Sequence, residues 1–188
     1  LFIWDAYCFS QDAHAGQIRY SGKPYFTHCA SVGVTLSTWK MDYRTIAAGL
    51  LHDVIEDTQI SRETMLTKFG EEVTELVEGV SHLSGIKFSS RTEKQAENFM
   101  KMFLSVAKDL RVIMIKFADR LHNMSTIKHL PLIKQRRIAI ETRDVYAPLA
   151  HRLGMNRLKI ELEDMVLKTM EPDEYKNLQN KIKATRKQ

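Results

Sequence analysis

Two cysteines, Cys8 and Cys29, with no CxxC spacing around either, leave nothing from which to build a thiolate zinc site or a disulfide framework. A reducing compartment is expected. Proline is sparse, only Pro24, Pro131, Pro148 and Pro172, and the eight glycines are scattered, so helices meet few breakers. No apolar run approaches the ~20 residues of a membrane-spanning helix, which argues against a membrane role. There is no internal repeat and no low-complexity segment. The opening Leu1-Phe2-Ile3-Trp4-Asp5 has neither an initiator Met nor basic residues before an apolar stretch, so an excised domain is expected rather than a complete gene product.

The 188 residues suit one compact domain, enough to bury roughly 70% of the surface of the unfolded chain. With 44% hydrophobic and 27% charged residues the composition is that of a soluble globular protein. The net charge of +5 is compatible with nucleic acid, with phosphorylated small molecules or with simple solubility. Much of it lies in the tail, at Lys181, Lys183, Arg186 and Lys187, where a solvated helix end explains it. Nothing besides charge points to nucleic-acid binding.

Apolar residues recur at helical spacing through most of the chain, which predicts an all-α fold. The pattern gives helices over Phe2 to Ala15 and from near Thr27 to about Trp39, separated by a polar turn from Arg19 to Pro24. A third starts at Asp42-Tyr43-Arg44 and stops near Asp57-Thr58. Ser61-Arg62-Glu63 starts another, Gly70 closes it, and Glu72 to Val80 follows. A mobile loop is expected over 84–93, then an amphipathic helix through Met100, Leu104 and Val106. Beyond it come helices from Leu110 to about Leu130, from Ile133 to Arg152 despite Pro148, from Asn156 or Arg157 to about Met170, and a basic one after Pro172.

Two polar clusters interrupt the apolar pattern. His52-Asp53 and Glu56-Asp57 stand three and four residues apart, so one helix would gather them on one face while Ala47, Leu50, Leu51 and Val54 anchor it. Asp119, His122, Asn123 and Thr126 repeat the same offsets further on. His28 begins a third helix. Each is ordinary by itself: a histidine at a helix start is often a cap, and Asp119 beside Arg120 makes a plain ion pair. Their combination is not, because three acids and an imidazole in apolar surroundings repel one another unless a cation holds them. Imidazole and carboxylate together suit a divalent ion of intermediate hardness, manganese or iron, with positions left for water and a phosphate oxygen. Phosphoester or pyrophosphate hydrolysis is the reaction class implied, with Glu56 or Asp57 accepting a proton or ordering the nucleophile.

The scattered His28, His52-Asp53 and Asp119 resemble the ligands of the HD phosphohydrolase superfamily. More narrowly, Ala13-His14-Ala15-Gly16-Gln17, Gly22-Lys23-Pro24-Tyr25, Leu51-His52-Asp53-Val54-Ile55-Glu56-Asp57-Thr58 and Lys116-Phe117-Ala118-Asp119-Arg120-Leu121-His122-Asn123-Met124 resemble the N-terminal hydrolase domain of the RelA/SpoT alarmone enzymes. Tyr146 to Gly154 and Glu161 to Asp164 extend the match over nearly the whole chain. The resemblance implies an HD-domain fold and a Mn2+-dependent hydrolase that removes the 3′-diphosphate of (p)ppGpp, releasing pyrophosphate and GDP or GTP in stringent-response control. It implies His28, His52, Asp53 and Asp119 as metal ligands and Glu56 with Asp57 as the acids serving the attacking water. Arg19 is placed against the guanine, and Ser21, Lys87, Asn123 and Thr126 in the nucleotide pocket. Residues 1–170 would form the hydrolase domain and 171–188 a basic helix leading toward an absent synthetase domain, with regulatory domains further on. The family implies a bacterial cytosolic protein, or a plastid homologue. Two positions depart from its pattern: Tyr20 stands where a second basic residue is common, and Cys29 where proline is. The alternatives are an HD phosphohydrolase acting on another nucleotide and a catalytically silent alarmone-binding module.

Overall fold

The structure, a computed structural model, describes residues 1–84 and 109–185. Helices carry the architecture, and among the described residues the extended pairing is limited to an isolated antiparallel bridge between Ile18 and Pro24. No helix of the described residues is long and apolar enough to cross a membrane. The chain divides into two units, Leu1–His122 and Asn123–Gln188.

In the first unit, α1 (Phe2–Ala13), α2 (Phe26–Thr38) and α5 (Arg62–Ser84) pack around α3 (Tyr43–Leu51), with a single turn, α4 (Val54–Asp57), and the start of α6 (Leu110–Ser125) completing it. Asp42 starts α3 as predicted, its carboxylate accepting from the amides of Arg44 and Thr45 at 3.0 and 3.1 Å. Ala47, Ala48, Leu50 and Leu51 are buried along its length. Gly49 lets α2 come close, since a Cβ there would overlap the side chain of Leu36. The hydroxyl of Ser10 donates to the carbonyl of Leu50 at 2.6 Å and ties α1 to the end of α3. Gly70 breaks α5 where the sequence pattern placed a helix end: its φ of 81° lies in the left-handed region that favours glycine.

The predicted helix through the acidic cluster is interrupted. It stops at Leu51, turns through His52 and Asp53, and resumes as α4. The local cause is His52, whose Nδ1 lies 2.8 Å from the carbonyl of Gly49, the group to which a continuing helix would bond the amide of Asp53. A side chain has taken the place of a rung of the ladder.

The second unit holds a 3₁₀ turn (Ile127–His129), α7 (Leu132–Glu141), a π-helical turn (Thr142–Tyr146), α8 (Ala147–Arg152), α9 (Asn156–Met170) and α10 (Pro172–Thr185). The run expected through Pro148 is kept at the cost of the wide turn just before it. Proline offers no amide to the carbonyl four residues back, and the π turn absorbs the mismatch. Tyr146, Leu149, Leu158, Leu162 and Val166 form the core of this unit, while α10 buries no residue. Ser84, the last residue of α5, begins the segment expected to be a mobile loop; its remainder and the helix through Met100, Leu104 and Val106 lie outside the described residues.

Candidate metal centre

Four side chains from three places in the first unit come together. His28 comes from the first turn of α2, His52 and Asp53 from the break between α3 and α4, and Asp119 from the middle of α6. Nε2 of His28 lies 3.3 Å from Nε2 of His52, 3.6 Å from Oδ2 of Asp53 and 3.3 Å from Oδ1 of Asp119. Nε2 of His52 lies 3.1 Å from Oδ2 of Asp53. His28, His52 and Asp119 are buried. These are the four residues implied as ligands by the family resemblance.

Hydrogen bonding orients the rings. A carbonyl only accepts, so His52 donates from Nδ1 to Gly49, which leaves Nε2 as the nitrogen open to a proton or a metal. A guanidinium only donates, so Nδ1 of His122, 3.1 Å from an Arg19 nitrogen, is an acceptor. Nδ1 of His28 lies 2.8 Å from that same atom, which turns its Nε2 toward the cluster. Ligand atoms of His28, His52 and Asp119 all lie within 4.8 Å of one another, and Oδ2 of Asp53 adjoins both imidazoles. The separations match neighbouring ligands on one ion with bonds of about 2.1 Å, and with both Nε2 atoms deprotonated these side chains present only acceptors to a cation. The residues fit a divalent metal.

The electrostatics agree. Burial works against a charge on His52, but Asp53 and then Asp119 outweigh it and raise its pKa to about 9. Proton and cation compete for the same nitrogen. Burial dominates at His28 and lowers its pKa. Asp119 is buried against its own charge, yet Lys116, whose Nζ donates to Oδ2 at 2.7 Å, and the two histidines hold it well below the usual carboxylate range. Burial, His28 and Arg19 bring His122 down to about 4, so it stays neutral. Glu56, exposed on α4, is raised by partial burial and by Asp53 and Asp57, which moves it toward the range useful for proton transfer.

Asp57 joins the cluster through Tyr25, whose hydroxyl stands 2.7 Å from Oδ2 of Asp53 and 3.0 Å from Oδ2 of Asp57. Burial and then Asp53 push the Tyr25 phenol far up, so it remains protonated. Arg19 and Ser21 stand on the predicted polar turn. It is held by the Ile18 to Pro24 bridge and by bonds from the Arg19 amide to the Lys23 carbonyl and from the Tyr25 amide to the Gln17 carbonyl, at 2.9 and 2.8 Å. The Arg19 guanidinium lies 5.7 Å from the centre of the Tyr25 ring. Asn123 and Thr126 belong to the second unit, where the Thr126 hydroxyl donates to the Asn123 carbonyl at 3.4 Å; Thr126 follows the last turn of α6 rather than continuing it. Lys87 lies outside the described residues.

The sequence pattern assigns no role to Lys116 or Tyr25, and it places His122 in the second polar cluster without giving it one. His122 and Lys116 stand three positions either side of Asp119, a spacing that puts them on the ligand face of α6. Tyr25 stands three before His28, at the cap of α2. Cys29 also lies close, its sulfur within 4.8 Å of ligand atoms of His52 and Asp53.

A helical domain that brings scattered His, His-Asp and Asp to one buried point is the arrangement of the HD domain, and a family model of that description matches residues 6–156. The chain belongs to the HD domain family. It is 55% identical over 180 residues to a Synechocystis protein named as a probable guanosine-3′,5′-bis(diphosphate) 3′-pyrophosphohydrolase, covering 96% of this chain and 24% of that protein. It is 50% identical over 181 residues to the bifunctional (p)ppGpp synthase/hydrolase SpoT of Escherichia coli, covering 96% and 26%. A Myxococcus xanthus protein named GTP pyrophosphokinase is 48% identical over 189 residues, covering 99% and 25%. The chain thus spans about a quarter of the length of the curated relatives it matches. A solved structure described as a metazoan ortholog of SpoT that hydrolyzes ppGpp superposes with a TM-score of 0.69 at 24% identity, over 90% of this chain and 96% of that one, and shows the same fold.

Proposed function

We propose that this chain is a Mn2+-dependent guanosine-3′,5′-bis(diphosphate) 3′-pyrophosphohydrolase. Water cleaves the ester between the ribose 3′ oxygen and the diphosphate of (p)ppGpp, giving pyrophosphate and GDP or GTP. The observation that carries this reading is the convergence of His28, His52, Asp53 and Asp119, in a chain half identical to proteins named for that hydrolysis. The mixed nitrogen and oxygen donor set favours manganese over a thiolate-bound zinc. Those four residues hold the ion, which when bound supplies Lewis acidity and lowers the pKa of water.

The remaining roles belong to side chains. Glu56, with its raised pKa, takes the proton of the attacking water, and Asp57 orients that water. Arg19 offers a guanidinium plane to the guanine, held by its contact with His122. The family resemblance assigns Ser21, Lys87, Asn123 and Thr126 to nucleotide binding, with an ammonium at Lys87 for phosphate. Residues 1–170 act as the hydrolase domain, and the basic helix after Pro172 leads toward a synthetase domain of the kind named in the SpoT relative. Cytoplasmic localisation and involvement in the stringent response belong to the same proposal.

Metal-stripped chain is incubated with ppGpp, half with Mn2+ and half with chelator, and pyrophosphate and GDP are followed. Manganese-dependent appearance of both products is expected. Nucleotide binding without release of pyrophosphate from manganese-loaded protein would replace this reading with a silent alarmone-binding module. Turnover of other nucleotides in preference to ppGpp would make it an HD phosphohydrolase of different specificity.

A further inference from the structure

Tyr25 touches both halves of the proposed chemistry with one atom. Its hydroxyl oxygen is 2.7 Å from Oδ2 of Asp53, assigned above to the metal, and 3.0 Å from Oδ2 of Asp57, assigned to the water. A phenol at neutral pH has one proton to donate, and both neighbours are carboxylates that accept. They compete for a single hydrogen, and the shorter bond goes to Asp53.

The ring is fixed independently of that bond. It stacks on His14 with centroids 4.9 Å apart and planes at 27°. Gln17 donates from Nε2 to the Asp57 carbonyl at 2.7 Å, which turns its Oε1 toward Nδ1 of His14 at 2.8 Å. Tyr25, His14, Gln17 and Asp57 therefore form a closed loop of contacts, so the hydroxyl can shift its proton between carboxylates without moving the ring.

We propose that Tyr25 is a positioning residue that couples occupation of the metal centre to the orientation of Asp57, by sharing one hydroxyl proton between Asp53 and Asp57. With a cation held at Asp53, that oxygen would be a weaker acceptor, and the Tyr25 hydroxyl would turn its hydrogen to Asp57 and hold that carboxylate in place. The proposal rests on the assignment of Asp53 as a metal ligand. Nothing in it requires Tyr25 to touch the nucleotide.

The test is a double-mutant cycle on Mn2+ affinity, by calorimetry on the metal-stripped chain without nucleotide, using Tyr25→Phe, Asp57→Asn and the two combined. Phenylalanine keeps the stack on His14 and removes only the hydroxyl, and thermal melting checks that each variant folds. Tyr25→Phe removes the hydrogen bond that competes with the cation for Asp53, so it is expected to tighten Mn2+ binding by about threefold or more, the scale of one net hydrogen bond. The two substitutions are expected to be non-additive by about threefold or more, because they act through one proton. With ppGpp, Tyr25→Phe at saturating Mn2+ should lower kcat while leaving KM within about twofold. Unchanged Mn2+ affinity in Tyr25→Phe, or strictly additive effects of the pair, would overturn the coupling. If the parent chain leaves ppGpp intact, the hydrolase reading fails while the affinity cycle still decides the role of Tyr25.

Discussion

The two units are built from the same kind of helix and differ in what they bury. In the second, among the described residues, the buried polar side chain is Thr142, satisfied by its own helix through a 2.7 Å bond to the carbonyl of Ile138. In the first, His14, His28, His52, Lys116, Asp119 and Arg120 are all buried. Packing needs none of these. Removing an ionised group from water costs several kcal/mol unless it is paired, so natural cores avoid them. A unit that buries six His, Lys, Arg and Asp side chains has given up stability for chemistry, and the second unit shows what the same chain builds where its described interior holds none of them. The buried charge, more than the fold, marks where the protein acts.

That contrast can be broken most severely at a ligand. Asp119→Asn removes one carboxylate from the convergence, and both Mn2+ binding and ppGpp turnover are expected to fall to background; calorimetry and product release read the two separately. Full retention of metal would remove Asp119 from the ligand set. Glu56→Gln comes next: it should keep the metal and lose about a hundredfold or more in kcat, the usual contribution of a positioned acid or base. A variant with parental turnover would shift that role to Asp57.

The comparison is sharpened by two stability measurements. Lys116→Met strips Asp119 of its 2.7 Å partner and should destabilise the metal-stripped chain by about 3 kcal/mol, as breaking a buried pair does. Saturating Mn2+ should restore a good part of that, since a bound cation supplies the missing positive charge; urea titrations with and without metal would show it. If metal gives the variant no more stabilisation than the parent, Lys116 and the ion do not share Asp119. Leu162→Ala, in the core of the second unit, is expected to cost about 2–3 kcal/mol from lost burial and a cavity, with Mn2+ affinity unchanged below the unfolding transition. A parallel loss of Mn2+ affinity would show that the two units are not separable in the way their interiors suggest.

Much of this was legible before folding because it depends on local spacing. The cap at Asp42, the stop at Gly70, the polar turn from Arg19 to Pro24 and the start of the last helix at Pro172 follow from the preferences of single residues. What local spacing could not supply was the break at His52. A helical register reads Ala47 to Asp57 as one face of one helix, and only a ring nitrogen reaching back to Gly49 shows that the ladder stops there. Pro148 is the reverse case, a breaker that the chain passes by widening the turn before it.

The candidate site divides along the same line. Composition and pattern were sufficient to name imidazoles and carboxylates in apolar helices, and so to call for a cation, because the cost of burying charge is a property of the residues themselves. Their mutual arrangement was not available from spacing, since His28, His52 and Asp119 are separated by tens of residues and meet only once α2, α3 and α6 have packed. Which nitrogen of each ring carries a proton depends on Gly49, His122 and Arg19, and the bridge between Asp53 and Asp57 depends on Tyr25. Residue chemistry is local and is written in the chain. Convergence within hydrogen-bonding distance is a property of the packed helices, and the tertiary fold alone decides it.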